Sequence, residues 1–253
     1  MAIPRKRLDD LLVKQELAST LQAARALILA GSVFVNQQRV DKPGTQVNLS
    51  SEISLRGKPS KYVSRGGLKL EAAIDTFEVG VRGHTCLDLG ASTGGFTDCL
   101  LQHGARRVYA VDVGRGQLDW KLRNDPRVIV REAVNARYLT PANLPEEINI
   151  ITVDVSFISL RLIFPVVRRF LGSKILALVK PQFEAERHEV EPGGLIRKPE
   201  KREEILGRVK RLVLEQQLEI MGTIPSPILG QKGNQEYFVY LRNNPDQGGG
   251  SSS

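Results

Sequence analysis

The residues with the most chemical content lie in one stretch, Leu87-Asp88-Leu89-Gly90-Ala91-Ser92-Thr93-Gly94-Gly95-Phe96-Thr97. The apolar run Thr85 to Leu89 reads as a buried strand ending in a glycine-rich turn, and an apolar helical pattern starts at Phe96. A strand, a tight turn and a helix N-terminus set backbone N–H groups where a nucleotide-like ligand can lie across a sheet's carboxyl edge. The spacing is Gly-x-x-x-Gly-Gly, not the Gly-x-Gly-x-x-Gly that holds a dinucleotide pyrophosphate. A second strand, Arg107 to Val111, ends at Asp112, about where an acidic side chain meets a ribose hydroxyl in such folds. Together these signals suggest an adenosyl ligand without a pyrophosphate, and S-adenosylmethionine is the natural candidate. The alternative is an ordinary βα turn that needs glycine only for chain reversal. Asp88, Gly90, Ala91, Ser92, Thr93, Gly94, Gly95, Phe96, Asp112 and Val113 are the expected cofactor residues.

A sulfonium methyl moved in line to a nucleophile needs the acceptor aligned and its proton removed. Two more strand ends offer groups for this. Asp154 closes the strand pattern 148–153, and Lys180 closes 174–179. A lysine leaving an apolar strand is partly desolvated, which favours its neutral form and lets it steer or accept a proton; alternatively it only snorkels to solvent. Lys69 and Glu236 each sit beside apolar residues in a regular element and, taken singly, read as surface charges. Enzymes that methylate exocyclic base amines resemble one another in an Asn/Asp-Pro-Pro-aromatic motif at the Asp154 position, and both prolines are missing here. Cytosine-carbon methylases resemble one another in a nucleophilic cysteine near this strand or the next, where neither Cys86 nor Cys99 falls. A hydroxyl acceptor is the simplest reading.

These groups need a frame. From residue 65 the chain alternates strand and helix patterns: helices at 65–77, 96–103, 117–123 and 160–171, and strands at 85–89, 107–111, 128–131, 148–153 and 174–179. That alternation predicts an α/β fold with a doubly wound, mostly parallel sheet. A long charged helix at 198–217 follows. The segments 221–224 and 236–241 then predict an antiparallel edge hairpin. The first 58 residues form a small α+β unit of their own. Leu8, Leu11 and Leu12 mark one helix, and a capping box Ser19-x-x-Gln22 opens a second over 20–30, stopped by Gly31. Val33-Phe34-Val35, a polar turn at 36–39 and Val40 predict a hairpin, with further short strands in 47–55. Residues 59–64 read as a linker, 65–243 as the larger domain and 244–253 as a disordered Gly/Ser-rich tail.

Composition narrows the class. The chain has 253 residues with a net charge of +8, and residues 1–65 hold 11 Lys/Arg against 5 Asp/Glu. The positive excess is therefore concentrated at the N-terminus, which points to a polyanionic partner. Arg5, Lys6, Arg7, Arg25, Arg39 and Lys42, with Arg65 beyond them, are the candidate RNA contacts, through phosphates and grooves without sequence readout. Cys86 and Cys99 flank the glycine turn and read as buried apolar residues in a reducing cytoplasm. His84, His103 and His188 are scattered, so no metal is expected. No 18-residue apolar run offers a membrane span, and the N-terminus lacks a signal-peptide core.

Several stretches also resemble known families. Arg7-Leu8-Asp9, Ala23-x-Arg25-Ala26-Leu27-Ile28 and Gly31-x-Val33-x-Val35-Asn36 resemble, over roughly residues 5–55, the RNA-binding domain first described in a small-subunit ribosomal protein. Lys69, Asp154, Lys180 and Glu236 resemble the Lys-Asp-Lys-Glu tetrad of FtsJ-type ribose 2′-O-methyltransferases. Around them stand Ser64-Arg65-Gly66-Gly67-Leu68-Lys69, Asp154-Val155-Ser156-Phe157, Lys180-Pro181-Gln182-Phe183-Glu184 and Gly233-Asn234-Gln235-Glu236-Tyr237. Through about residue 242 the chain is similar to the TlyA family, historically called haemolysins. That resemblance implies a Rossmann-like methyltransferase sheet, S-adenosylmethionine as cofactor, cytidine 2′-hydroxyls of ribosomal RNA as acceptors, and the tetrad as catalytic residues. It also implies ribosomal subunits as partners in the cytoplasm. The rival readings are a membrane-active haemolysin and a catalytically silent ribosome-binding factor. Pseudouridine synthesis, suggested by the first domain alone, does not use a cofactor turn.

Overall fold

The computed structural model describes residues 5–55, 61–230 and 232–244. It divides into two compact units, 1–60 and 61–253. The predicted tail lies outside the described residues apart from Asn244, as do residues 59 and 60 of the predicted linker.

In the smaller unit, α1 (Leu8–Lys14) and α2 (Leu21–Leu29) pack together through Leu8, Leu11, Leu12, Ala24 and Ile28, all buried. Their i, i+3, i+4 spacing puts each set on one helix face. The capping residue is Thr20 rather than Ser19: the Ala23 N–H donates to Thr20 Oγ1 at 3.1 Å, so α2 opens one position later than expected and no Ser19–Gln22 box forms. Gly31, at φ +72°, ends it. The hairpin of β2 (Val33–Val35) and β3 (Gln38–Arg39) turns on Asn36 and Gln37, both at positive φ. Such a two-residue turn matches the right-handed twist of its strands. β5 (Ile53–Leu55) pairs with the other edge of β2. Sequence reading missed β1 (Arg5–Arg7), which pairs antiparallel with β4 (Gln46–Asn48); three consecutive basic residues carry no strand periodicity.

The larger unit begins with α3 (Arg65–Thr76). Residues 61–64 before it are tied down: Tyr62 is buried and the Val63 N–H donates to Asp98 at 2.8 Å. There follow β6 (Thr85–Leu89), α4 (Gly95–Gln102), β7 (Arg107–Val111), α5 (Trp120–Arg123), β8 (Val128–Arg131) and β9 (Ile150–Val153). Then come α6 (Phe164–Val167), β10 (Lys174–Val179), α7 (Pro181–Glu184), α8 (Pro199–Glu215), β11 (Glu219–Pro225) and β12 (Tyr237–Arg242). The strands form one seven-stranded sheet in the order β11-β12-β10-β9-β6-β7-β8. β12 runs antiparallel to both of its neighbours, β10 and β11, giving the expected edge hairpin. Strands β6, β9 and most of β10 are buried, as apolar runs covered on both faces must be.

Two helix expectations shrink. The pattern at 117–123 gives helix only from Trp120, because Asp119 caps it by accepting the Lys121 N–H at 2.9 Å. The pattern at 160–171 breaks into a 3₁₀ turn, Leu160–Leu162, and the short α6, because Pro165 has no N–H to continue the ladder. Glu236, read as the start of a strand, stands one residue before β12.

Candidate active site

The sheet reverses its order of winding between β6 and β9, the place where open α/β sheets receive ligands. Leu89 pairs with Val111 on one side and Val153 on the other, so Gly90, Asp112 and Asp154 leave the sheet side by side. Gly90, at φ +87°, lies so close to β9 that a Cβ there would sit 2.6 Å from the Asp154 carbonyl oxygen. Only glycine meets both demands.

The turn's amides are mostly used internally. The Gly90 and Ala91 N–H groups donate to the Val111 carbonyl at 2.9 and 3.1 Å, and Gly94 donates to Ala91 at 2.8 Å. The Ser92 N–H donates to Asp112 Oδ2 at 2.8 Å, and the Gly114 N–H to Oδ1 at 2.7 Å. Asp112 is thereby fixed, yet each oxygen keeps a free lone-pair direction. Val113 next to it is 73% exposed, an apolar surface at the same edge. Ser92 and Thr93 are exposed, whereas Ala91, Gly94 and Gly95 are buried. Phe96 is buried and stacks on Phe238 with centroids 5.9 Å apart, so it braces the turn from beneath. Asp88 does the same: its wholly buried carboxylate accepts from Thr97 at 2.7 Å and Thr152 at 2.9 Å, joining α4, β6 and β9. Burial pushes the Asp88 carboxyl up to about 7, against the pull of those hydroxyls. Burial also pushes the Cys86 and Cys99 thiols up to about 12, as suits inert apolar residues.

Lys69, Asp154, Lys180 and Glu236 come to this edge as two ion pairs. Lys69, on α3, donates to Glu236 Oε2 at 2.6 Å. Lys180 Nζ lies 2.6 Å from Asp154 Oδ1, at an angle outside a hydrogen bond, and donates to Ser156 Oγ at 2.8 Å. The register explains their meeting. Asp154 follows β9, Lys180 follows β10, and Val179 pairs with Tyr237, so Lys180 and Glu236 adjoin just beyond the ends of neighbouring strands. Gly230 leaves room for the second pair, since a Cβ there would overlap Glu236 Oε1. Both lysine side chains are mostly buried, at 12% and 10% exposure, which fits neither with a freely solvated surface lysine.

Sequence reasoning assigned no part to Ser156, Phe157 or Glu184. Phe157 is 90% exposed in a left-handed backbone at φ +63° and lies 5.0 Å, centroid to centroid, from Phe183. Glu184 accepts from Ser159 Oγ at 2.7 Å and the Leu160 N–H at 2.9 Å. All three stand in quoted motifs, but spacing alone does not show which side chains cross between two loops.

In the smaller unit the candidate RNA contacts divide. Arg7 donates through Nε and Nη2 to both oxygens of Asp9, at 2.9 and 2.7 Å, and Arg25 Nε donates to Oδ2 at 3.0 Å. Asp9 is wholly buried, and the Arg7 bonds hold its carboxyl down at about 2. Arg7 and Arg25 therefore also build the unit. Arg5 donates to Asn48 at 3.1 Å, the Arg39 guanidinium covers Gly31, and Lys6 and Lys42 are exposed. Arg65 belongs to the larger unit, where its guanidinium donates to the Leu229 carbonyl at 2.9 Å.

The sheet order and the glycine turn at its switch point are those of a ligand-binding α/β fold, and the family match makes it a methyltransferase. Residues 62–243 match the FtsJ-like methyltransferase family and residues 6–53 match the S4 domain, and the chain belongs to the FtsJ-like methyltransferases. It is 48% identical over 244 residues to the "Putative rRNA methyltransferase YqxC" of Bacillus subtilis, covering 95% of this chain and 87% of that one. It is 42% identical to the 16S/23S rRNA (cytidine-2′-O)-methyltransferase TlyA of Mycobacterium tuberculosis, covering 96% and 92%. A solved structure, the "Putative hemolysin from Streptococcus thermophilus", superposes with a TM-score of 0.75 at 42% identity, covering 96% and 90%. Among the described residues, no helix is long and apolar enough to cross a membrane.

Proposed function

We propose that this protein methylates the 2′-hydroxyl of cytidine in ribosomal RNA, using S-adenosylmethionine, in the cytoplasm where ribosomes are made. The observation that carries this is the meeting of Lys69–Glu236 and Lys180–Asp154, each 2.6 Å apart, beside the glycine turn. The relatives named for rRNA methylation support the acceptor.

The turn suits the cofactor. Gly90 leaves a cradle that a side chain would fill, Asp112 keeps two acceptor directions for ribose hydroxyls, and Val113 offers an apolar face for adenine. With most of the turn's amides bonded internally, nothing in it is arranged to wrap a pyrophosphate. When bound, S-adenosylmethionine supplies an electrophilic methyl group.

The protein's own part is to hold the acceptor and take its proton. Asp154 and Ser156 occupy two sides of Lys180 Nζ, leaving a third for the ribose oxygen; once the ammonium has released its own proton to solvent, the neutral amine accepts the proton of the ribose hydroxyl. Lys69 and Glu236 fix each other and position the ribose. The exposed ring of Phe157 suits stacking on a base brought to this edge. The basic smaller unit supplies RNA affinity through phosphate contacts and no chemistry. Mapping 2′-O-methyl marks on rRNA from a host lacking the protein, with and without its restoration, tests the reading. Cytidine marks should vanish and return; an unchanged map would refute it.

A further inference from the structure

Lys180 gets both of its partners from one loop, 154–159, and that loop is fastened at its far end by a residue of α7, the turn that Lys180 itself opens. We propose that Glu184 is a positioning residue that holds the Asp154–Ser159 loop against Lys180, so that the lysine amine keeps the placement methyl transfer needs.

The loop starts where β9 ends: the Asp154 N–H donates to the Leu89 carbonyl at 2.9 Å, which fixes that end in the sheet. Its middle is strained, because Phe157 is a non-glycine residue at φ +63° with its ring turned to solvent. Such a conformation persists only where its surroundings impose it. What imposes it is the far end. Glu184 takes the Ser159 hydroxyl on one oxygen and the Leu160 N–H on the other, and Ser159 Oγ in turn accepts the Arg161 N–H at 3.1 Å. Glu184 cannot drift from Lys180, since α7 is a single turn closed by the Phe183 N–H donating to the Lys180 carbonyl at 2.8 Å. Lys180 and Glu184 thus grip the loop at its two ends, with Phe157 against Phe183 between them. Without the Glu184 clasp, the left-handed residue can relax and carry Asp154 and Ser156 away from the amine.

The inference rests on the assignment of Lys180 above, and Lys180→Ala tests that assignment by itself. The clasp is tested by single-turnover methylation of rRNA at saturating RNA and S-adenosylmethionine. A misplacement near 1 Å can cost about a hundredfold in rate, so Glu184→Ala should lower it by about 30-fold or more. Glu184→Gln keeps an acceptor for Leu160, and Ser159→Ala keeps that whole bond, so each should lose only about 3- to 10-fold, the Gln side chain rescuing most of the Ala loss. Affinities for RNA and cofactor should stay within about twofold throughout, which separates placement from binding. Residues acting through one shared loop are non-additive, so adding Ser156→Ala to Glu184→Ala should cost less than about threefold more. A Glu184→Ala rate within threefold of wild type would overturn the inference. So would a loss of rate matched by lost affinity, or full multiplicativity with Ser156→Ala. If Lys180→Ala is also fully active, the assignment of Lys180 fails as well; if it is silent, only the clasp fails.

Discussion

Asp9 and Asp154 are both carboxylates beside basic side chains, and the difference between them separates building from working. Asp9 is wholly buried, and its oxygens accept well-formed bonds from Arg7 and Arg25. Nothing on it remains to meet a ligand. Asp154 keeps 24% of its side chain exposed, touches Lys180 through one oxygen, and that contact lacks hydrogen-bond geometry. A saturated ion pair is a structural rivet. An incompletely satisfied one at a sheet's carboxyl edge is poised to gain a partner.

The contrast can be sharpened at its ligand side first, where a large loss of binding is expected. Asp112→Ala removes the acceptor proposed for two ribose hydroxyls, each bond to a charged group being worth about 1.5–3 kcal/mol. Calorimetric titration with S-adenosylmethionine should show affinity down by about a hundredfold or more; unchanged affinity would remove Asp112 from the cofactor site.

Asp9→Ala should instead cost about 2 kcal/mol of the smaller unit's stability, tempered because both arginines are about half exposed, and leave the chemical step intact. The pH sign follows from the depressed carboxyl. Held at about 2 when folded, Asp9 contributes stability that is fully present above the ordinary carboxylate value near 4 and is lost as pH falls from there toward 2. Asp9→Asn should flatten that part of the acid-unfolding curve, read from amide exchange of Leu11 and Ile28. A curve that keeps its wild-type slope would show that the pair does not stabilise the unit.

The smallest expected effect is at Gly230. A methyl there must displace the Glu236 carboxylate, loosening the Lys69 pair, and should slow methyl transfer by about tenfold. Gly230→Ala at full rate would mean that the Lys69–Glu236 geometry is not critical.

Most of the frame was legible because it depends on periodicity. Thr85–Leu89 and Lys174–Val179 are short apolar runs bounded by turn residues, which read as buried strands, and Gly31 and Gly90 mark backbone that side chains rarely adopt. Failures occurred where a local bond outweighed the pattern. Pro165 broke a helix whose apolar spacing was intact, and Thr20 took the capping role from Ser19. Arg5–Arg7 became a strand only through its partner Gln46–Asn48, a long-range pairing that no local signal announces. The tetrad was visible through resemblance, since Lys69 and Glu236 are 167 positions apart and meet only through the fold. The clasp of Glu184 on Ser159 and Leu160 was invisible for the same reason.

Lys180 is assigned to move a proton rather than to stand as a fixed positive charge. The most direct test is single-turnover methylation of rRNA by Lys180→Ala and Lys180→Arg, with cofactor binding and folding checked alongside. A proton-transfer residue contributes about 10²–10⁴ in rate, and a guanidinium stays charged, so both variants should lose turnover while still binding S-adenosylmethionine. Near wild-type transfer by either variant, above all by Lys180→Arg, would contradict the account.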